Sequence, residues 1–123
     1  MNPPDPLRGL RVAVIEDEAL VSLLIEGILE DLGCEVVGSA ARVVEGVDMV
    51  SRLSDEIDAA ILDVNLAGET AFPVAEALAE RGIRFGFATG YGASLPAPWS
   101  DRPTLQKPYI LSDIRDLLLE LTV

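Results

Sequence analysis

The sequence feature that most constrains the fold is a short apolar run, residues 59–62, that ends abruptly in Asp63. Successive apolar residues without alternating polar ones predict a strand that is covered on both faces, as in a parallel sheet. In open sheets of this kind, ligands bind outside the carboxyl ends of the strands, so Asp63 stands where chemistry is expected. Asp58 precedes the run and should lie about 16 Å away along the strand, so only Asp63 faces the expected site.

Further strands and amphipathic helices alternate along the chain. Strands are predicted at residues 11–15, 35–40, 59–62, 83–88 and 104–106, and helices at 19–32, 43–53, 73–78 and 110–121. Such alternation predicts parallel strands joined by right-handed crossovers, and 2-1-3-4-5 is a common strand order for a sheet of this size. We therefore predict an α/β fold, a flavodoxin-like doubly wound parallel sheet of five strands in that order.

Two proline-rich segments interrupt this alternation. Three prolines fall within the first six residues, which lack any periodic apolar pattern. We therefore expect residues 1–10 to form a flexible leader and residues 11–123 to form the folded domain. Three more prolines lie between residues 91 and 103 and leave little room for a regular helix. The fourth helix of the predicted fold should be shortened or irregular.

The charge balance excludes several kinds of partner. Nine Lys and Arg residues stand against 21 Asp and Glu residues, and the net charge of −12 repels nucleic-acid phosphates and anionic lipid surfaces. Direct binding to nucleic acid or to a membrane is therefore not expected. The hydrophobic stretches fall short of the roughly 20 residues that span a bilayer, and the start lacks a signal-peptide pattern. We expect a cytoplasmic protein.

The absence of histidine narrows the chemistry further. Without histidine the chain can carry neither a Ser-His-Asp triad nor a histidine-bearing zinc site. The single cysteine, Cys34, has no imidazole base and is expected to pack inertly. The chain cannot itself carry a phosphohistidine, so any such phosphoryl donor must be another protein.

Polar side chains collect at the predicted strand ends. They are Glu16 and Asp17 after the first strand, Asp63 after the third, Thr89 after the fourth and Lys107 after the fifth. Two carboxylates about 4 Å apart repel by about 4 kcal/mol at an effective dielectric constant of about 20, and a single lysine cannot offset three such repulsions. Oxygen ligands in this number favour Mg²⁺. An ionised aspartate beside Mg²⁺ can attack a phosphoryl group while the Lys and Thr hold the transferred oxygens, which predicts an aspartyl phosphate.

At these residues the chain resembles the receiver domain of bacterial two-component response regulators, from about Arg11 to the C-terminus. The matching positions are Glu16 and Asp17 as the acid pair, Asp63 as the phosphoacceptor, Thr89 as the switch hydroxyl, and Lys107 with Pro108 as the Lys-Pro pair. The resemblance implies that the Asn65 backbone carbonyl joins Glu16, Asp17 and Asp63 around Mg²⁺. It also implies a cis peptide bond before Pro108 and, as the phosphoryl donor, a sensor histidine kinase or a histidine phosphotransfer protein.

A narrower resemblance concerns the run from Phe87 to Tyr91, Phe-Ala-Thr-Gly-Tyr. With Lys-Pro-Tyr at residues 107–109, it is similar to a branch of single-domain receivers named for the Phe-Ala-Thr-Gly sequence. Typical receivers carry an aromatic residue where this chain has Thr104, and a full fourth helix where this chain is proline-rich. We therefore expect a different readout of phosphorylation, and the candidate switch or partner residues are Tyr91, Trp99, Thr104 and Tyr109.

Other functions stay open on the sequence alone. A phosphatase of the haloacid-dehalogenase type would carry Asp-x-Asp-x-Thr after its first strand, whereas Asp63 follows the third. A flavodoxin-like cofactor binder would need small residues in its first loop, where Glu16, Asp17 and Glu18 repel phosphate. A degenerate receiver that only binds partners would not need the complete set of acids, Thr and Lys.

Within the receiver interpretation, two roles are possible. The chain could act as a stand-alone switch that changes the binding of a downstream protein partner, or as a phosphate sink or shuttle in a phosphorelay. We expect it to catalyse only its own phosphorylation and dephosphorylation. Glu16 and Asp17 could also merely cap the first helix, since acids are common near helix starts.

Overall fold

The computed structural model describes residues 5–90, 95–107 and 110–122. Its strands are β1 (Arg11–Ile15), β2 (Glu35–Ala40), β3 (Ala59–Asp63), β4 (Asn65–Leu66), β5 (Glu69–Thr70), β6 (Arg84–Thr89) and β7 (Thr104–Gln106). Its helices are α1 (Ala19–Asp31), α2 (Val43–Leu53), α3 (Phe72–Glu80) and α4 (Leu111–Leu121). Within these residues, no helix is both long enough and apolar enough to cross a membrane.

The main sheet has five parallel strands in the order β2-β1-β3-β6-β7. This is the predicted 2-1-3-4-5 order, because β6 and β7 are the fourth and fifth strands of that sheet, so the predicted fold class is confirmed. The sequence pattern does not predict β4 and β5, which pair antiparallel as a small hairpin directly after Asp63. Two-residue strands are too short to show a period in the sequence.

The core consists of two apolar layers, one on each face of the sheet. Every residue of β3 is buried, and its side chains alternate between the layers. Ala60 and Leu62 pack with α2 and α3, whereas Ala59 and Ile61 pack with α1 and α4. An uninterrupted apolar run is what a strand enclosed in this way requires, since neither of its faces meets water.

The described part of the expected leader is packed against the domain. Leu7 is 3% exposed and belongs to the layer formed with α1 and α4. The backbone N–H of Gly9 donates to the carbonyl of Gly33 at 2.7 Å, and the N–H of Glu35 donates to the carbonyl of Leu10 at 2.8 Å. Residues 5–10 are therefore part of the folded unit, contrary to the expectation of a leader through residue 10.

The connection between β6 and β7 carries no helix in its described residues, 95–103. This agrees with the prediction that the helix between the fourth and fifth strands of the sheet is shortened or irregular. Trp99 fills the place next to the sheet, and its ring lies 6.3 Å from that of Phe72 in a stacked arrangement and 6.1 Å from that of Phe87. The Arg102 guanidinium lies 4.4 Å from the centre of the Phe85 ring. Aromatic contacts of this kind replace the apolar face that a helix would supply.

Candidate functional site

The polar residues predicted at the strand ends come together at the carboxyl edge of the sheet. Parallel strands end at the same edge, so the segments that follow β1, β3, β6 and β7 meet there. A cavity of about 460 Å³ opens at this edge, and its lining includes Asp17, Asp63, Asn65, Thr89 and Lys107. Polar groups from four separate segments therefore share one solvent-accessible space.

Lys107 binds the two most buried acids of the site. Its Nζ donates to Asp63 Oδ2 at 2.7 Å and to Glu16 Oε1 at 3.3 Å. Its backbone N–H donates to the Thr89 carbonyl at 2.8 Å, so the ladder between β6 and β7 extends to Lys107 and fixes where its side chain starts. Burial alone would lower the pKa of Lys107, but the hydrogen bonds and charges of Asp63 and Glu16 raise it above the ordinary value. Lys107 is therefore a fixed ammonium.

The acids outnumber this ammonium. Glu16, Asp17 and Asp63 each offer a carboxylate oxygen within 4.8 Å of the others. Glu16 is 3% exposed, and its Oε2 accepts no hydrogen bond from the described residues. Burial, together with neighbouring Asp63, raises the pKa of Glu16 to about 8 although Lys107 opposes the shift. A buried carboxylate oxygen without a partner among hard oxygen ligands fits a divalent cation such as Mg²⁺.

The loop after β3 holds two of these carboxylates. The backbone N–H of Asn65 donates to Asp63 Oδ1 at 3.2 Å, and that of Ala67 donates to Asp17 Oδ2 at 3.0 Å. The sequence predicts a role for the Asn65 carbonyl but gives no indication of a role for Ala67. A backbone donor has no residue-type signature, so the only signal near it is Gly68, a residue typical of tight turns.

The candidate switch and partner residues differ in their exposure and in whether the structure describes them. Trp99 is 6% exposed and packs in the core layer of α2 and α3, and its role as a switch or partner residue stays a prediction. Thr104 is exposed on β7, the edge strand of the sheet. Tyr91, Tyr109 and Pro108, with its expected cis bond, lie outside the described residues.

The fold and the site together define a class of protein. A parallel sheet that begins in the order 2-1-3, with an acid cluster, a strand-end aspartate and a lysine at its carboxyl edge, is typical of response regulator receiver domains. Solved structures support this class. SdrG from Sphingomonas melonis Fr1 is 43% identical to this chain with a TM-score of 0.77, and the match covers 94% of this chain and 98% of the SdrG chain. The chain therefore belongs to the response regulator receiver family.

Two further solved structures extend the comparison. The response regulator PhyR from Brucella abortus is 27% identical with a TM-score of 0.80, and the match covers 96% of this chain but 50% of the PhyR chain. This chain thus spans about half the length of that regulator. CheY in a CheX-CheY-BeF₃-Mg²⁺ complex from Borrelia burgdorferi is 14% identical with a TM-score of 0.86 over 98% of this chain and 99% of that one, a likeness of fold. No family model and no curated protein matches the chain.

Proposed function

We propose that this domain accepts a phosphoryl group on Asp63 from a phosphohistidine donor, in a Mg²⁺-dependent reaction, and signals by changing which protein partner it binds. The observation that carries the proposal is the contact of 2.7 Å between Lys107 Nζ and Asp63 Oδ2 inside a cavity lined by further acids. A carboxylate held between an ammonium and a cation site is oriented for attack on phosphorus.

In the reaction, a carboxylate oxygen of Asp63 forms a bond to phosphorus while the bond between phosphorus and the donor's imidazole nitrogen breaks. The electron pair of that bond stays on the leaving nitrogen, so no oxidant or further co-reactant is needed. Lys107 would bind an oxygen of the incoming group, and the Thr89 hydroxyl, at the cavity wall, would bind another. These contacts position the group and stabilise the charge on its oxygens as it is transferred.

Mg²⁺ would be held by Glu16, Asp17, Asp63 and the Asn65 carbonyl. When bound, it neutralises acids that Lys107 alone cannot balance and so lets an anionic phosphoryl group approach. The unpartnered Glu16 Oε2 supports this assignment. The metal-bearing CheY complex supports it by likeness of fold.

The test is to incubate the protein with Mg²⁺ and a small acyl phosphate and to measure the intact mass. We expect one added phosphoryl group on the wild type and none on Asp63→Asn. Asp58→Asn is the matched control, because Asp58 precedes the same strand and lies at its opposite end. An equal adduct on Asp63→Asn, or one that persists in excess chelator, would reject the mechanism.

The phosphoryl donor would dock on apolar side chains that flank the cavity. Leu20 is 82% exposed, and Leu23 and Leu24 of the same helix are also exposed, directly after the acid pair. Ile110 and Leu111, exposed at the start of α4, follow Lys107 closely in the chain. We call these exposed apolar side chains the apolar rim, and exposed apolar groups that cluster are typical of an interaction surface.

A charge placed on this rim tests the docking. Leu20→Asp should slow phosphotransfer from a phosphorylated histidine phosphotransfer domain without changing labelling by a small acyl phosphate. Val44→Asp is the control, because Val44 is 79% exposed but lies on α2. Equal slowing by the two variants would contradict docking at α1.

The Phe-Ala-Thr-Gly run supports the narrower, single-domain branch, and the segment around Trp99 would read out phosphorylation. Phe72 lines the cavity and stacks on Trp99, which links the site to that segment. Hydrogen exchange of residues 95–103 should therefore change when Asp63 is phosphorylated, and an unchanged pattern counts against this readout. We expect the domain to act in the cytoplasm and through protein partners, and the CheX-CheY complex of a related fold supports a protein partner.

A further inference from the structure

The turn of the β4–β5 hairpin has an unusual backbone. Leu66 pairs with Glu69, and the two residues between them, Ala67 and Gly68, have φ angles of 53° and 87°. Two successive left-handed residues make a tight turn that suits glycine and disfavours residues with a Cβ. Ala67 is the one non-glycine residue in the described ranges with a positive φ. Strained backbone of this kind persists only where the surrounding structure holds it, and it is concentrated at functional sites.

The hairpin is anchored on both sides of this turn. Leu66 is 1% exposed in the core layer of α2 and α3. The N–H of Ala71 donates to the Val64 carbonyl at 2.8 Å, and the N–H of Val64 donates to the Ala88 carbonyl at 3.1 Å. The position of the turn is therefore fixed relative to β6 and to the cavity.

The strained turn places one amide against the acid cluster. The Ala67 N–H donates to Asp17 Oδ2 at 3.0 Å, between residues 50 positions apart in the chain. Among the described residues, this is the hydrogen bond that the Asp17 side chain accepts. Asp17 follows β1, and within residues 5–90, 95–107 and 110–122 no other hydrogen bond fixes its rotamer, so the amide orients the carboxylate.

We propose that the Ala67 amide is a positioning group for the divalent cation: the hairpin turn holds Asp17 in the orientation in which it ligates. This inference rests on the proposed function, because it assumes that the acid cluster binds Mg²⁺. The amide does not touch the cation. It restricts a ligand in advance, and groups that orient metal ligands typically change metal affinity by about 10- to 100-fold.

The first experiment measures Mg²⁺ affinity by calorimetry, with the metal alone, in two variants of residue 67. Ala67→Pro removes the N–H and cannot adopt the left-handed conformation, so the affinity should fall about tenfold or more. Ala67→Gly keeps the N–H and fits the turn, so its affinity should stay within about twofold of the wild type. Equal affinity in all three proteins would overturn the proposal.

A second pair of variants separates positioning from general damage to the hairpin. If the turn acts through Asp17, Ala67→Pro should weaken Mg²⁺ binding in the wild type but have no further effect in an Asp17→Ala background. Interaction between neighbouring sites appears in such a cycle as non-additivity. An undiminished penalty in the Asp17→Ala background would show that proline acts by distorting the loop and would overturn the proposal.

A third measurement needs no metal. In chelator-treated protein, Asp17→Ala should speed the hydrogen exchange of the Ala67 amide, while the Ala71 amide, bonded to Val64, keeps its protection. Unchanged exchange at Ala67 would overturn the proposal. The outcome is distinct from failure of the proposed function, which the phosphoryl adduct on Asp63 tests separately.

Discussion

Strand β3 has an ion pair at each end, and the two pairs differ in almost every physical respect. At the amino end, Arg11 and Asp58 form a balanced pair: Nη2 lies 3.1 Å from Oδ1, Nε donates to Oδ2 at 3.2 Å, and both side chains are more than one-third exposed. At the carboxyl end, Lys107 faces Glu16 and Asp63, which are buried, with Asp17 nearby. One end neutralises its charge, whereas the other keeps an excess of negative charge.

The pKa values of the acids at the two ends of β3 are shifted in opposite directions. The hydrogen bond from Arg11 lowers the pKa of Asp58 although partial burial opposes it. Burial and the charge of Asp63 raise the pKa of Glu16 to about 8. The balanced pair lowers the pKa of its acid, whereas the acid cluster raises the pKa of Glu16, as expected for the proposed cation site.

The largest difference in stability is expected when the basic side chain at each end is replaced, in chelator-treated protein at pH 8. Lys107→Met leaves two buried acids without their ammonium and should lower the free energy of unfolding by about 3 kcal/mol. Arg11→Met should cause a small loss, because exposed pairs contribute little. Urea titrations of the two variants measure both effects, and equal losses would remove the distinction between the ends.

The pH dependence of stability should come next in size. In chelator-treated protein the pKa of Glu16 rises from 4.5 to about 8 on folding, so the folded state holds an extra proton between these values. The stabilisation of the folded state that comes from this raised pKa is complete below pH 4.5 and is lost as the pH rises through about 8. We expect a loss of roughly 1–2 kcal/mol between about pH 6 and about pH 9.

Glu16→Gln is the control for this pH effect, since it keeps the shape of the side chain and removes the titration. The chain has no histidine, so few other groups titrate in this range and the variant should give a nearly flat profile. Chemical denaturation across the pH range provides the measurement. A wild-type profile as flat as that of Glu16→Gln would contradict the raised pKa.

Removal of an acid should change the stability of the protein in opposite directions at the two ends of β3. At about pH 9, above the pKa of about 8 at which Glu16 ionises, Asp63→Asn relieves repulsion with Glu16 and leaves Lys107 paired with Glu16, so it should stabilise the metal-free protein by about 1 kcal/mol. Asp58→Asn weakens a balanced pair and should destabilise the protein slightly. Thermal unfolding of the two variants in chelator distinguishes them, and destabilisation by Asp63→Asn would argue for a purely structural role.

The smallest effect concerns salt. At about 1 M NaCl the screening length is about 3 Å, so the coupling between Arg11 and Asp58 in a double-mutant cycle should vanish. The coupling between Lys107 and Asp63 should persist, because buried pairs are screened much less. Loss of both couplings would show that the two ends are equally open to solvent.

The parts of this molecule that sequence patterns predict are local ones. The apolar run before Asp63 predicts a doubly covered strand, and the prolines of residues 91–103 predict a shortened or irregular helix there, because each signal lies within the segment that it describes. The positions of Glu16, Asp17, Thr89 and Lys107 at strand ends follow from the same reasoning, since parallel strands end at one edge.

The features that the sequence patterns do not predict depend on residues that are distant in the chain. Trp99 is buried because Phe72 and Phe87 offer a surface that no local pattern reveals. Leu7 is buried because α1 and α4 leave room for it beside the sheet. The Ala67 amide contributes through its backbone, so its residue type carries no signal at all.

The aromatic stack of Phe72 and Trp99 has a practical consequence. Trp99 is the sole tryptophan of the chain, and its stacking partner forms part of the wall around Asp63. Indole fluorescence is sensitive to such surroundings, so the emission of the unlabelled protein should change when a cation or a phosphoryl group enters the cavity. The single tryptophan would therefore report, without any label, whether the proposed Mg²⁺ and phosphoryl site is occupied.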